Sequence, residues 1–188
     1  MARSRIIRMC HCAIMATIIS VMAIITVPLP FTPVPISLAT MGVMLAGALL
    51  QVVDGMISVF VYLTLGILGL PVFAGFKSGI ATLIGPTGGF LVGYIMLAFG
   101  IGFLLKVFLK TFKPMAANLL AMTISNIILY TFGCVWYIIY AKVGVAAALT
   151  SCVIPFLLGD AFKIIIASTI SARYLHIHKN REKNHDEG

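Results

Sequence analysis

The sequence predicts an all-α integral membrane protein with six transmembrane helices, and three observations predict it. Hydrophobic residues fill 61% of the 188 positions and charged residues only 10%, where soluble domains run near half and a quarter. The apolar residues fall in runs near the ~20 residues that cross a hydrocarbon core. The bases, 13 Lys and Arg against 5 Asp and Glu, cluster at the two ends and in one short loop, as they do on one side of a membrane protein. A net charge of +8 spread in that way does not form the basic face that binds nucleic acid. Membrane lipid is the expected surroundings and no nucleic-acid partner is expected.

The first span is 9–27, preceded by Arg3, Arg5 and Arg8. It exceeds an ordinary signal-peptide core and no small-residue cleavage site precedes polar sequence, so it is expected to be retained. Pro28, Pro30, Pro33 and Pro35 follow. Their fixed φ and missing amide protons stop a helix, which predicts an extended loop. Spans 36–53 and 55–70 come next, with Asp54 as a polar turn between them. A loop rich in glycine and aromatics starts at Pro71, and the remaining spans are 86–105, 115–140 and 145–174. The whole reads as a single transmembrane domain, 1–188, whose charged end, 175–188, is a short cytoplasmic tail.

With both termini in the cytoplasm, the inner segments collect Arg3, Arg5, Arg8, Lys106, Lys110, Lys113, Arg173, Lys179, Arg181 and Lys183, and the outer loops hold only Lys77 and Lys142. That asymmetry predicts a multi-pass protein of the cell membrane with cytoplasmic ends.

Enzyme chemistry finds little support. No G-x-x-x-x-G-K-[ST] phosphate loop is present, so any ATP must be used by a partner, and there is no G-x-S-x-G or H-E-x-x-H motif. Cys10-His11-Cys12 does not make a metal site, because residues i and i+2 of a helix face different ways. No cofactor is expected. What stands out is Asp160 and Lys163, two ionisable residues at membrane depth, spaced i, i+3 on one face. They are either a self-neutralising ion pair or an acceptor and a donor offered to a small polar ligand. Gly85-Pro-Thr-Gly-Gly89 opens the fourth span. It is either an anion-attracting helix start or a close helix contact. Phe73, Phe76, Phe90 and Tyr94 nearby either line a pocket or face lipid. On the first span Cys12, Ala16 and Ser20 recur every fourth residue, a smooth strip for packing or for a partner helix.

Four segments, in order and at these separations, resemble the BioY family: Pro33-Val-Pro-Ile-Ser-Leu-Ala-Thr-Met-Gly42, Tyr62 with Leu68-Gly-Leu-Pro-Val-Phe73, Gly85-Pro-Thr-Gly-Gly-Phe90, and Gly159-Asp-Ala-Phe-Lys163. BioY proteins are the biotin-specific S components of energy-coupling-factor (ECF) transporters. The resemblance implies the six-helix S-component fold, a biotin site near the outer face, and docking onto one transmembrane coupling protein and two ATPases. It implies that Asp160 and Lys163 read the ureido ring, whose two N–H groups and one carbonyl suit a carboxylate and an ammonium. It puts Thr40, Tyr62, Phe73, Phe90, Ser78 and Gly79 in the binding set, the last two near the ligand carboxylate with Lys77. The proline loop, through Thr40, and the loop after Pro71 become lids, and Cys12, Ala16 and Ser20 become the docking strip. A carrier for a different vitamin-like molecule, or an intramembrane enzyme or proton channel using Asp160, is the alternative.

Overall fold

The computed structural model describes residues 2–30 and 32–186, with side chains for 5–30 and 32–177. The expected tail, 175–188, lies largely outside the described side chains, as do those of Arg3, Lys179, Arg181 and Lys183. Helix α1 (Ala2–Ile24) leads into a two-stranded antiparallel ladder, β1 (Thr26–Val27) and β2 (Ile36–Ser37), that brackets the proline loop. Helices α2 (Ala39–Leu49) and α3 (Val52–Ile67) follow, then the short α4 (Ile80–Ile84), and then α5 (Gly88–Phe108), α6 (Pro114–Ala141), α7 (Val145–Cys152) and α8 (Ile154–Asp186).

Among the described residues, four helices are long and apolar enough to cross a membrane: Arg5–Ile24, Gly88–Phe108, Pro114–Ala141 and Ile154–Ile177. Of the other expected spans, 55–70 becomes α3 with an equal 16 residues, and 36–53 comes out shorter. The segment 36–53 spends its first residues in β2, and α2 has 11 residues, an axial rise of about 16 Å. Nearly every side chain of α2 is buried, as expected of a helix apolar on all sides. Its glycines let neighbours close in: a Cβ on Gly42 would lie 3.1 Å from the Ile19 backbone, and one on Gly47 would lie 2.8 Å from the Ala98 carbonyl. The outer surface of the bundle carries large apolar side chains such as Phe60, Phe103, Ile139 and Phe162, the mark of a lipid-facing surface.

The expected single span 145–174 divides at Val153 into α7 and α8. Pro155 has no amide proton to give the Ser151 carbonyl four residues back, and its ring crowds that carbonyl. The freed Ser151 oxygen instead accepts a 2.9 Å hydrogen bond from Thr32 Oγ1, whose oxygen in turn accepts from the Val34 amide. The proline loop is therefore strapped to the α7–α8 joint, and Thr32 is buried within it.

The boundary between the second and third spans also moves. The chain breaks at Leu50 and Gln51, and Asp54 lies in the first turn of α3 rather than in a turn of its own. There its carboxylate suits the positive end of the helix dipole. Arg8 grips it in fork geometry, with Nε to Oδ2 at 2.9 Å and Nη2 to Oδ1 at 2.7 Å. Asp54 is buried while Arg8 is half exposed. Arg8→Ala is thus expected to lower the unfolding temperature more than Asp54→Asn, because only the first strands a buried charge. Thermal unfolding of both variants in detergent gives the ordering.

Cys12, Ala16 and Ser20 are 5%, 1% and 7% exposed. Cys12 Sγ faces the Asp54 carbonyl at 3.5 Å and Ser20 Oγ bonds back to the Ala16 carbonyl. The strip is covered by the chain itself, which corrects its assignment as a docking face: small residues here let α1 approach α2 and α3. Ala16→Leu is expected to destabilise the folded protein by about 1–3 kcal/mol through overpacking, read as a lower unfolding temperature before any partner is added.

Candidate functional site

Asp160 and Lys163 lie on the first turns of α8, 3% and 6% exposed. They form an ion pair, Nζ to Oδ1 at 2.7 Å. Lys163 also donates to the Ser37 carbonyl at 2.7 Å and to Thr40 Oγ1 at 3.1 Å, so its three N–H groups are all engaged. The other carboxylate oxygen of Asp160 accepts from Tyr130 Oη at 2.5 Å and from Asn126 Nδ2 at 3.5 Å. Burying two charges in a membrane protein is tolerable under such conditions, where both are paired and their remaining valences are filled. The ion-pair reading of this motif is the one the geometry shows.

The pair opens onto a cavity with an empty volume of about 710 Å³, its open mouth included. Thr40, Tyr62, Phe73, Phe90, Asp160 and Lys163 all line it, so the separated motifs of the sequence converge on one space. The remaining wall is mainly apolar, with Tyr94, Leu129 and Phe156 among its side chains. Each element has a local reason for its place. Phe73 is 1% exposed and meets Tyr62 edge to face with centroids 5.6 Å apart. It fits because α3 has glycine at position 66, where a Cβ would fall 2.1 Å from the ring. The Phe73 amide closes the loop by donating to the Lys77 carbonyl at 3.0 Å across left-handed Gly75 and Phe76. Phe90 sits over Gly133 of α6 in the same manner.

Ser78 and Gly79 are not part of the lining, whereas Lys77, Thr82 and Thr87 are. The Gly79 amide donates to the Gly66 carbonyl at 2.7 Å and the Ser78 carbonyl accepts from Thr82 Oγ1 at 3.0 Å. Phe76 projects outward, 66% exposed. In the segment Gly85 to Gly89 the close-contact reading is the one the geometry shows. A Cβ on Gly89 would sit 2.2 Å from Trp136 Cβ, and Trp136 Nε1 donates to the Gly85 carbonyl at 2.9 Å. Asn126 and Tyr130 are site residues that the sequence reading passed over. The signal was there: two polar residues at i, i+4 inside an apolar helix share a face and need partners.

The chain matches the model of the BioY family over residues 1–180. It belongs to the BioY family. Among curated relatives, the biotin transporter BioY of Lactococcus lactis subsp. cremoris is 35% identical over 149 residues, 78% of each chain. The biotin transporter BioY of Rhodobacter capsulatus is 32% identical over 170 residues, covering 82% of this chain and 90% of the relative. The crystal structure of an S component for biotin from an ECF-type ABC transporter superposes with a TM-score of 0.85 at 30% identity, over 94% of both chains. As a BioY protein the chain is a multi-pass membrane protein of the S-component fold, and its named relatives are transporters. The converging BioY motifs, from Pro33 to Lys163, surround the one cavity described above.

Proposed function

We propose that this BioY protein binds biotin and is the substrate-capturing membrane subunit of an ECF-type ABC transporter, with ATP used by two partner ATPases and a transmembrane coupling protein. The observation that carries this reading is the buried Asp160–Lys163 pair in the wall of an otherwise mainly apolar cavity. A bicyclic ligand with a ureido edge matches it. The carboxylate accepts an N–H, the ammonium donates to the urea oxygen, and the fused rings meet Tyr62, Phe73 and Phe90. The valerate carboxylate points to the mouth, toward Lys77, with Ser78 and Gly79 behind it.

Because all three Lys163 protons are engaged in the free protein, the urea oxygen must replace one acceptor. Ser37 and Thr40 are the replaceable ones, and both sit where the proline loop joins α2. Ligand binding and the position of that loop are therefore linked, which supports residues 28–35 as one lid, with the loop at 71–84 as the other. In this reading α2 and α3 complete a set of six crossings with α1, α5, α6 and α8. The base-rich termini and the 106–113 segment face the cytoplasm, and the cavity faces out.

Calorimetric titration of the purified protein with biotin, with its methyl ester and with a thiazole or flavin vitamin tests the assignment. Saturable 1:1 binding of biotin is expected, weakened moderately by esterification and absent for the other vitamins. Tight binding of another vitamin with no response to biotin would move the protein to a different substrate.

A further inference from the structure

Below the site, α6 carries Asn118, Met122, Ser125 and Asn126 at three- and four-residue spacing, the geometry of one helix face, and none is more than 4% exposed. From α8, Ser168 and Ser171 are buried completely. Two sets of contacts fix the antiparallel register of the helices: Asn126 and Tyr130 reach Asp160, and Ser168 Oγ meets Met122 Sδ at 3.3 Å. One further turn along this register brings Asn118 level with Ser171. Ser125 turns toward α5, where Gly100 leaves it room; a Cβ there would stand 2.7 Å from the hydroxyl.

Among the described residues, four buried oxygens on α6 and α8 have no hydrogen-bond partner: Asn118 Oδ1, Ser125 Oγ, Asn126 Oδ1 and Ser171 Oγ. Asn118 Nδ2 is held by the Pro114 carbonyl at 2.8 Å, which commits its Oδ1 to the role of acceptor. Inside a bilayer such atoms are costly unless they are satisfied within the protein. An apolar ligand would leave them unsatisfied, and a metal ion finds no cluster of acidic, His or Cys ligands among the described residues. Water supplies both a donor and an acceptor and fits a site offering two to four polar partners.

We propose that this face of α6 binds a string of ordered water molecules, running from the end where α6 begins and α8 continues into its C-terminal half, up to the Asp160 carboxylate. The string satisfies the four oxygens and keeps a polar medium in contact with the inner side of the ion pair. When a ligand leaves, Asp160 and Lys163 can exchange partners with water from below without the cavity opening above.

Hydroxyl-radical footprinting with brief X-ray exposure tests this on the full-length protein in lipid nanodiscs, because radicals made from bound water mark the side chains beside it. Two methionines are equally inaccessible: Met122 on the polar face, and Met44 in the apolar heart of α2, both 0% exposed. Met122 is expected to be oxidised several-fold faster than Met44, and the Ser171→Ala and Asn118→Leu variants should bring it down toward the Met44 rate. Equal inertness of Met122 and Met44 in the wild type would overturn the proposal. So would unchanged Met122 labelling in folded variants, which would point to transient opening. Biotin binding by the same samples reports separately on the transport reading.

Discussion

Lys163→Ala is expected to weaken biotin binding by about 1.5–3 kcal/mol, roughly 10- to 150-fold in Kd, the scale of a hydrogen bond to a charged group. Asp160→Asn should fall in the same range, since the amide still reaches the ligand but no longer balances the ammonium. Each single change also strands the other member of a pair buried to within a few per cent, so both should lower stability. The two losses should not add. In a double variant, Asp160→Asn with Lys163→Met, no charge remains to be desolvated, and part of the stability should return while binding stays low. Calorimetry and thermal unfolding on the three proteins separate the roles. Near-native affinity in both single variants, with intact folding, would leave the pair a structural ion pair and remove it from the site.

Gly89→Ala should be among the most damaging single methyls in the protein, with a loss of about 3 kcal/mol or failure to accumulate in the membrane. The added Cβ would meet Trp136 Cβ at 2.2 Å and the Phe132 carbonyl at 2.7 Å. Neither can yield without moving the α6 backbone away from α5. Gly93→Ala, one turn further along, meets chiefly the end of a leucine, Leu129 Cδ1 at 2.8 Å, and rotation of that side chain should absorb most of the strain. Gly144→Ala meets nothing within 4 Å and should be silent. Unfolding temperatures in the order Gly144→Ala, Gly93→Ala, Gly89→Ala, from highest to lowest, are the expected result. A tolerated Gly89→Ala would mean that α5 and α6 do not pack so closely in the membrane.

Much of the candidate site was legible because rarity inside a membrane is itself a signal. An Asp and a Lys at i, i+3 in an apolar run have few reasons to exist, and the cavity wall contains both. Tyr62, Phe73 and Phe90 could be named from the resemblance to BioY, but not placed. Their convergence depends on Gly66 and Gly133, whose missing side chains let two aromatic rings occupy space next to α3 and α6. In the sequence Arg8 is one of many inner bases, and only a contact across 46 positions makes it the partner of Asp54.

The sequence by itself determined the solvent, the helical class, the base-rich termini and the acceptor–donor pair Asp160 and Lys163, because each follows from local composition or from spacing along one helix. Tertiary structure alone decided the rest. Cys12, Ala16 and Ser20 form a smooth strip in any helix, but which neighbour covers it is a matter of packing, and α2 and α3 cover it here. Pro155 announces a break, yet not that the carbonyl it releases will hold Thr32 and strap a loop 119 positions away. Burial and pairing are properties of contacts between distant segments, and the pattern along a single segment does not contain them.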